Sequence, residues 1–187
     1  PGPNGELCNG GGVYNLGVLT VVECIFSDHS ADLFGGAIYS TGVLTVTRCT
    51  FADNTASSSG GGIFSYGALA VIDSTFAGND SSQGGAINNE GALTVSGSSF
   101  VDNTALTGGA IAVSSSIPMT VSNSTFTGNT AGIGGGIVGD TDSTVALAHC
   151  TFFGNVAYIP EYGGGAILTQ GVLTYTHTII AGSVNGD

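Results

Sequence analysis

The stretch FGGAIYSTGVLTVTRCTFADNTA, residues 34–56, decides the fold, because close variants of it follow twice. They read GGGIFSYGALAVIDSTFAGND at residues 60–80 and GGAINNEGALTVSGSSFVDNTA at residues 84–105. In each copy, an aliphatic residue after the glycines and a later phenylalanine bracket a segment of alternating apolar and polar residues. Such alternation, rich in Thr and Val, is typical of short β-strands, and the Gly, Asn, Ser and Asp between them indicate corners. The stretch is therefore one unit of a β-repeat.

The same two anchors recur along the chain at steps of 24 to 30 residues, which gives seven units. The aliphatic anchors are Val13, Ile38, Ile63, Ile87, Ile111, Ile137 and Ile167. The second anchors are Phe26, Phe51, Phe76, Phe100, Phe126, Phe152 and Ile180. We predict an all-β fold, a right-handed parallel β-helix of about seven coils with three short strands per coil. Residues 1–187 then form a single β-solenoid domain without evident caps.

The charge of the chain excludes two classes of partner. One Lys or Arg stands against 13 Asp and Glu, for a net charge of −12. A chain this acidic cannot neutralise phosphates, and anionic membranes repel it. No apolar run approaches the roughly 18 residues of a membrane span. We therefore expect neither nucleic-acid binding nor membrane insertion.

The pairing of Gly-Gly-Ala-Ile with Phe-x-x-Asn resembles the repeats of chlamydial polymorphic outer-membrane proteins and related bacterial surface β-helix proteins. Gly-Gly-Ala-Ile stands at residues 35–38, 84–87, 108–111 and 164–167, and Gly-Gly-Ile or Gly-Gly-Val variants fill the remaining units. The resemblance covers essentially the whole chain, and it is specific for architecture rather than function. It implies an exported bacterial passenger, extracellular or at the cell surface, used in adhesion or as a structural spike.

One polar column is predicted to be structural. Phe-x-x-Asn recurs five times, so its asparagines stack in successive coils, where their side chains can bond to one another and to the corner backbone. This predicted ladder consists of Asn54, Asn79, Asn103, Asn129 and Asn155.

A second column carries charges, three residues before each Phe anchor. It reads Glu23, Arg48, Asp73, Gly97, Asn123, His149 and His177. The only cation of the Lys and Arg type, Arg48, stands between two carboxylates, so we predict an ion-pair ladder of Glu23, Arg48 and Asp73.

Two cysteines are neighbours in the column two residues before the Phe anchor, and Cys150 lies in the same column four coils further on. Stacked Cys24 and Cys49 lie at about the Cα separation that a disulfide tolerates, although parallel side chains are not ideally aimed for one. A disulfide and two buried thiols both remain open at this point.

No pattern in the sequence predicts catalysis. Polysaccharide lyases of this shape need a cation near the substrate, and only Arg48 is available. Glycosidases need two carboxylates at a defined separation, but glycines interrupt the column that holds Asp28, Asp53 and Asp102. The neighbours His149 and His177 lack a third metal ligand, and GDTDS at residues 139–143 lacks the further carboxylates of a calcium loop. We expect no enzyme, no cofactor and no metal.

Two outward surfaces are candidates for binding. An apolar column and the longest corner, VAYIPEYGG at residues 156–164, predict a contact surface of Tyr14, Tyr39, Phe64, Tyr158, Ile159 and Tyr162. A separate column of threonines is similar to the flat faces of ice-binding solenoids. Its members are Thr20, Thr45, Thr94, Thr120 and Thr174, interrupted by Ala70 and Ala146.

The leading functional prediction is a non-catalytic extracellular structural or adhesive β-solenoid whose copies stack head to tail into a filament. A host or cell-surface receptor or a carbohydrate is a further expected partner. Ice binding through the Thr face is one alternative, and a polysaccharide-binding or polysaccharide-degrading β-helix is another. The residues can also form part of a longer solenoid, whose coils would then continue covalently.

Overall fold

A computed structural model describes residues 8–114, 116–159, 161 and 163–185 as a stack of seven coils. Each coil places one strand in each of four seven-stranded parallel sheets, which we name A to D in the order that the chain enters them. Coils are numbered 1 to 7 from the N-terminal end. Within the described residues, no helix is long and apolar enough to cross a lipid bilayer.

The strands of each sheet run in coil order. Sheet A contains Val13–Asn15, Ile38–Ser40, Ile63–Ser65, Ile87–Asn89, Ile111–Val113, Ile137–Gly139 and Ile167–Thr169. Sheet B contains Val18–Val22, Val43–Thr47, Leu69–Ile72, Leu93–Ser96, Met119–Ser122, Thr144–Ala148 and Val172–Thr176. Sheet C contains Ile25–Ser27, Thr50–Ala52, Thr75–Ala77, Ser99–Val101, Thr125–Thr127, Thr151–Phe153 and Ile179–Ala181. Sheet D contains Ser30–Ala31, Thr55–Ser59, Asp80–Gln83, Thr104–Thr107, Thr130–Ile133, Val156–Ala157 and Val184–Asn185.

Strand pairing follows the register that the anchors predict. Ile38 lies beside Ile63 in sheet A, and Phe51 lies beside Phe76 in sheet C. The parallel β-helix and its seven coils are thus confirmed. The prediction of three strands per coil is wrong, because the segment after each Phe-x-x-Asn corner forms sheet D. In coil 2 this strand is TASSS, whose small polar residues look like a corner in sequence although Ala56 is buried.

A stack of aromatic rings forms one side of the core. Six phenylalanines, one from each of coils 1 to 6, lie nearly parallel, with neighbouring ring centroids 4.5 to 5.0 Å apart. From coil 2 to coil 6 these rings are 0% exposed. Aliphatic columns from sheets A and B complete the interior, so each coil buries its apolar residues against the coils on both sides.

The corners need residues that tolerate a positive φ. Gly60 adopts a φ of 66°, and a Cβ on the next residue, Gly61, would collide with the carbonyl oxygen of Gly85 in the following coil. The charged column is the corner between sheets B and C, and its non-glycine members also have φ values of 47° to 55°. Asp, Asn and His tolerate this left-handed conformation better than most residues, which explains part of the composition of the column.

Candidate functional site

The asparagine ladder joins five successive coils at the corner between sheets C and D. At every step the Nδ2 of one asparagine donates to the Oδ1 of the next over 2.9 Å. The same Oδ1 accepts the backbone N–H of the preceding asparagine, and Nδ2 also donates to a phenylalanine carbonyl oxygen one coil earlier. All five side chains are 0% exposed. The ladder therefore satisfies buried corner backbone along the core.

Sequence reasoning missed a second ladder, at the corner between sheets B and C. The Oγ of Ser74 accepts the backbone N–H of Cys49, and the Oγ of Ser98 accepts that of Ser74, both over 3.1 Å. Each hydroxyl in turn donates to the carbonyl oxygen two residues earlier, as Ser74 does to Ile72 over 2.8 Å. The sequence pattern that could have revealed this ladder is a Cys, Ser or Thr two residues before the Phe or Ile anchor of each coil. We call the column of Cys24, Cys49, Ser74, Ser98, Ser124, Cys150 and Thr178 the hydroxyl–thiol ladder.

The sulfur atoms of Cys24 and Cys49 take part in this ladder as thiols. Cys24 and Cys49 are free thiols, so the structure shows the second of the two alternatives that the sequence left open, with Cys49 buried and Cys24 half-buried. The Sγ of Cys49 donates to the carbonyl oxygen of Thr47 over 3.3 Å and accepts the N–H of Cys24 over 3.4 Å. The Sγ of Cys24 turns to the carbonyl oxygen of Val22 over 3.3 Å. Both sulfurs thus act as ladder members instead of bonding to each other.

The predicted ion-pair ladder is a single pair. The Nε of Arg48 donates to Oε1 of Glu23 over 2.9 Å, and the two side chains are 53% and 68% exposed. Within the described residues, Arg48 forms no ion pair with Asp73. The Oδ1 of Asp73 instead lies over Gly97 in the following coil, in the space that a Cβ would fill. The carboxylate therefore leans away from coil 2, which breaks the ladder after its first step.

Only the first member of the predicted aromatic strip is freely exposed. Tyr14 is 53% exposed, whereas Tyr39 and Phe64 are buried. Phe34 and Tyr66 cover them: the ring of Phe34 is 4.7 Å from that of Phe64, and the ring of Tyr66 meets Phe64 edge-on at 4.8 Å. The prediction that Tyr39 and Phe64 form an open contact surface is therefore wrong. The sequence did not reveal the two covering rings because they lie outside the repeated column to which Tyr39 and Phe64 belong.

These five rings form an aromatic cluster on the outer face of sheet A, and two carry exposed phenols, Tyr14 and Tyr66. Desolvation raises the pKa of Tyr39, and the neighbouring tyrosines and Glu90 raise it further. Burial also raises the pKa of the Glu90 carboxyl. The cluster thus combines stacked rings, two accessible hydroxyls and one partly desolvated carboxylate.

The long corner of coil 6 lies on sheet D. The backbone N–H groups of Tyr158 and Ile159 donate to the carbonyl oxygens of Ala131 and Gly132, each over 2.9 Å. The Cδ1 of Ile159 covers Gly132. Tyr158 is 47% exposed and Ile159 is 38% exposed, so both are partly accessible, while Tyr162 lies outside the described residues.

The other candidate residues from the sequence are the histidine pair, the two aspartates of GDTDS and the Thr face. They lie on the surface at separate places and form no common site. His149 and His177 stack face to face with ring centroids 4.7 Å apart, and no group of three or more metal-ligating side chains occurs in the described part of the chain. Asp140 and Asp142 line a small polar hollow of about 100 Å³ with Ser114 and Ser116. The Thr face lies on the outside of sheet B, where the Oγ1 of Thr120 and of Thr94 are 3.4 Å apart; the two alanines interrupt it.

The two end faces differ from the rest of the molecule. We define the first end face as Val13, Leu19, Val21 and Phe26 of coil 1, and the last as Ile167, Leu173, Tyr175 and Ile180 of coil 7. All eight belong to inward columns, yet Tyr175 is 58% and Ile180 46% exposed, and most of the others are only partly buried. Among the described strands, the first and last of each of the four sheets pair on one side only.

The four sheets, the ladders and the stacked core define a parallel β-helix. The chain belongs to the family described as "Right handed beta helix region", which it matches over residues 7–179. That family includes polysaccharide-degrading enzymes as well as proteins without catalytic activity. Neither the curated proteins nor the solved structures contain a significant match to the chain.

Proposed function

We propose that the chain is a non-catalytic structural β-helix, displayed outside a bacterial cell, whose copies stack head to tail into a filament. The observation that carries this proposal is the pair of apolar end faces, where, within the described residues, inward side chains are exposed or only partly buried and the outermost strands pair on one side. Resemblance to bacterial surface repeats supports the location and an adhesive use of the assembled rod.

The end faces are complementary because every coil repeats the same columns. Stacking the last face on the first places Ile180 against Phe26 and Leu173 against Leu19, an apolar residue on an apolar residue. All four sheets would continue across the junction, and the uncovered strand edges would gain partners. The net charge of −12 opposes this contact at low salt, and added salt screens the repulsion.

The non-catalytic part of the proposal rests on how the polar residues are used. The ladder asparagines bond to one another and to the corner backbone, the ladder serines bond to corner backbone groups, and Arg48 is engaged with Glu23. A panel of polysaccharides tests it directly. Release of unsaturated or reducing oligosaccharides at enzymatic rates would contradict it, and no release above the blank is expected.

Electron microscopy and sedimentation of the purified chain test the assembly. We expect fibres at high concentration and high salt, with an axial repeat near seven strand spacings, about 34 Å. A monodisperse monomer under all these conditions would overturn the proposal.

A matched pair of lysine variants separates end stacking from nonspecific association. Leu173→Lys places a charge on the last end face and should abolish fibres. Thr174→Lys makes the same charge change one residue away, on the exposed outer face of sheet B, and should leave fibres intact. Equal behaviour of the two variants would show that the end face is not the contact.

Carbohydrate contact at the aromatic cluster is a second candidate function. The observation that favours it is the exposure of the phenols of Tyr14 and Tyr66 beside the carboxylate of Glu90, since sugars stack on aromatic rings and bond to carboxylates. Binding to immobilised polysaccharides that Tyr66→Ala abolishes and Tyr175→Ala preserves would establish it, and retention of wild-type binding by Tyr66→Ala would dismiss it.

A further inference from the structure

A hollow with a volume of about 350 Å³ lies on the outer face of sheet D. Strands of coils 2 to 4 form its floor, where Ala56, Ser81 and Ala105 are small and buried. Tyr158 forms one wall, although it follows the strand Val156–Ala157 of coil 6. The long corner of coil 6 therefore converts a flat sheet face into a concave one.

The chemistry of the hollow is defined by one carboxylate among hydroxyls. Asp80 lines it together with Ser57, Ser82 and Thr104. The surrounding walls partly desolvate the carboxylate and raise the pKa of Asp80. Among the described residues no cationic side chain forms an ion pair with Asp80, and the only Lys or Arg of the chain, Arg48, is paired with Glu23. A partly desolvated carboxylate without a counter-ion attracts a cation from outside.

The apolar part of the lining favours an organic cation. Leu106 is 59% exposed and Tyr158 is 47% exposed, and both line the hollow, so an alkyl stem can lie against one and a positive charge can face the ring of the other. Single acceptor oxygens on different strands suit the three diverging donors of an ammonium better than the planar fork of a guanidinium.

We propose that this hollow binds a primary ammonium carried on an unbranched alkyl chain, with Asp80 as its counter-ion and Tyr158 and Leu106 as its apolar wall. A free polyamine and the lysine side chain of another protein present the same chemistry. The net charge of −12 draws either ligand to the surface. Binding here does not depend on end-to-end stacking, since the hollow lies on the side of the rod.

Titration calorimetry with two probes tests the site: 1,5-diaminopentane, and an acetylated, amidated tripeptide with a central lysine. Binding of the diamine alone identifies a free-polyamine site, and binding of the peptide, alone or as well, identifies a site open to protein lysines. Binding of neither probe at concentrations up to about 10 mM, near the weakest affinity that the calorimeter resolves, would overturn the proposal.

Two asparagine variants distinguish the hollow from the general negative charge. Asp80→Asn should weaken binding at least about tenfold, the usual loss for a hydrogen bond to a charged group. Asp53→Asn removes the same charge from an exposed corner where asparagine suits the positive φ of 54°, and should change affinity less than about twofold. Equal losses in the two variants would show diffuse electrostatic attraction and contradict the site.

A third variant tests the wall. Tyr158→Leu keeps an apolar side chain but removes the ring face, so it should weaken binding about threefold while leaving thermal unfolding nearly unchanged. An unaltered affinity would remove Tyr158 from the site.

Discussion

The middle coils and the terminal coils are built from the same columns, yet only the middle ones bury them completely. Phe100 in coil 4 is 0% exposed and stacks between two rings, whereas Phe26 in coil 1 is only partly buried and Ile180 in coil 7 is 46% exposed. The asparagine ladder shows the same difference, because His29 and Ser183 stand at its two ends. Burial and hydrogen bonding of a residue are thus set by its neighbouring coils and not by its own coil alone.

This difference explains what a coil can contribute to stability. A coil between two others gains two interfaces, and a terminal coil gains one, as expected for a nearly one-dimensional stack. The terminal coils should therefore open first, and they are also the part of the molecule that can gain most from another copy. The following predictions test this contrast, from the largest expected effect to the smallest.

The phenylalanine stack gives the largest contrast. Phe100→Ala should lower the free energy of unfolding by about 3–5 kcal/mol, because it leaves a cavity between two buried rings. Phe26→Ala should lower it by less than half as much, since that ring already borders solvent. Urea unfolding followed by circular dichroism measures both, and equal losses would contradict the contrast between middle and terminal coils.

The asparagine ladder gives the next largest difference in stability between a middle and a terminal coil. Asn103→Ala should cost about 2–4 kcal/mol, because the backbone N–H and the Nδ2 of Asn79 lose their acceptor inside the core. Ser183→Ala removes the 3.3 Å bond from the Asn155 N–H and an exposed 3.5 Å bond to the Ala181 carbonyl oxygen, both long, and should cost about 0.5 kcal/mol or less. Thermal unfolding of the two variants under identical conditions is the measurement; a larger loss for Ser183→Ala would reverse the prediction.

Labelling of the cysteine thiols tests the difference between middle and terminal coils without any substitution. Cys8 is exposed and Cys24 is half-buried near the first end face, whereas Cys49 and Cys150 are buried in coils 2 and 6. Burial also raises the pKa of Cys150, which lowers its thiolate fraction at any pH below that pKa. Iodoacetamide labelling mapped by mass spectrometry should therefore modify the first two thiols in the native state, and the other two only after unfolding.

The same experiment checks the absence of a disulfide. Four thiols should titrate in denaturant without reductant. A count of two thiols would show that a disulfide forms, with Cys24 and Cys49 as its expected pair.

The ion pair gives the smallest effect, although it links coil 1 to coil 2. Arg48→Ala should change the free energy of unfolding by about 0–1 kcal/mol, because both partners are more than half exposed. A loss above about 2 kcal/mol in low-salt urea unfolding would show that this pair, rather than apolar stacking, anchors the terminal coil.

Repetition explains how much of this architecture the sequence predicts. The Ile and Phe anchors fix every strand register of sheets A and C, because a one-residue slip would turn the buried side chains to solvent. Sheet D was missed because its buried position is occupied by alanine or serine, as at Ala56 and Ser81, which carry no hydrophobic signal.

The surfaces were harder to predict because they depend on residues outside the columns. Phe34 covers Phe64 from a corner with no equivalent ring in the other coils, and Tyr158 reaches a hollow lined by coils 2 to 4. The hydroxyl–thiol ladder was detectable in principle, since every coil supplies a Cys, Ser or Thr at that position. The pattern was overlooked because the position is occupied by three residue types, which share a hydrogen-bonding side chain but not their identity.

Hydrogen exchange of backbone amides, resolved by coil at low and at high protein concentration, tests the central claim most directly. We predict strong protection of coils 2 to 6 at both concentrations, weak protection of coils 1 and 7 in dilute solution, and a rise in those two coils alone as copies stack. Uniform protection of all seven coils in dilute solution would contradict the account, because it would mean that the end faces need no neighbour.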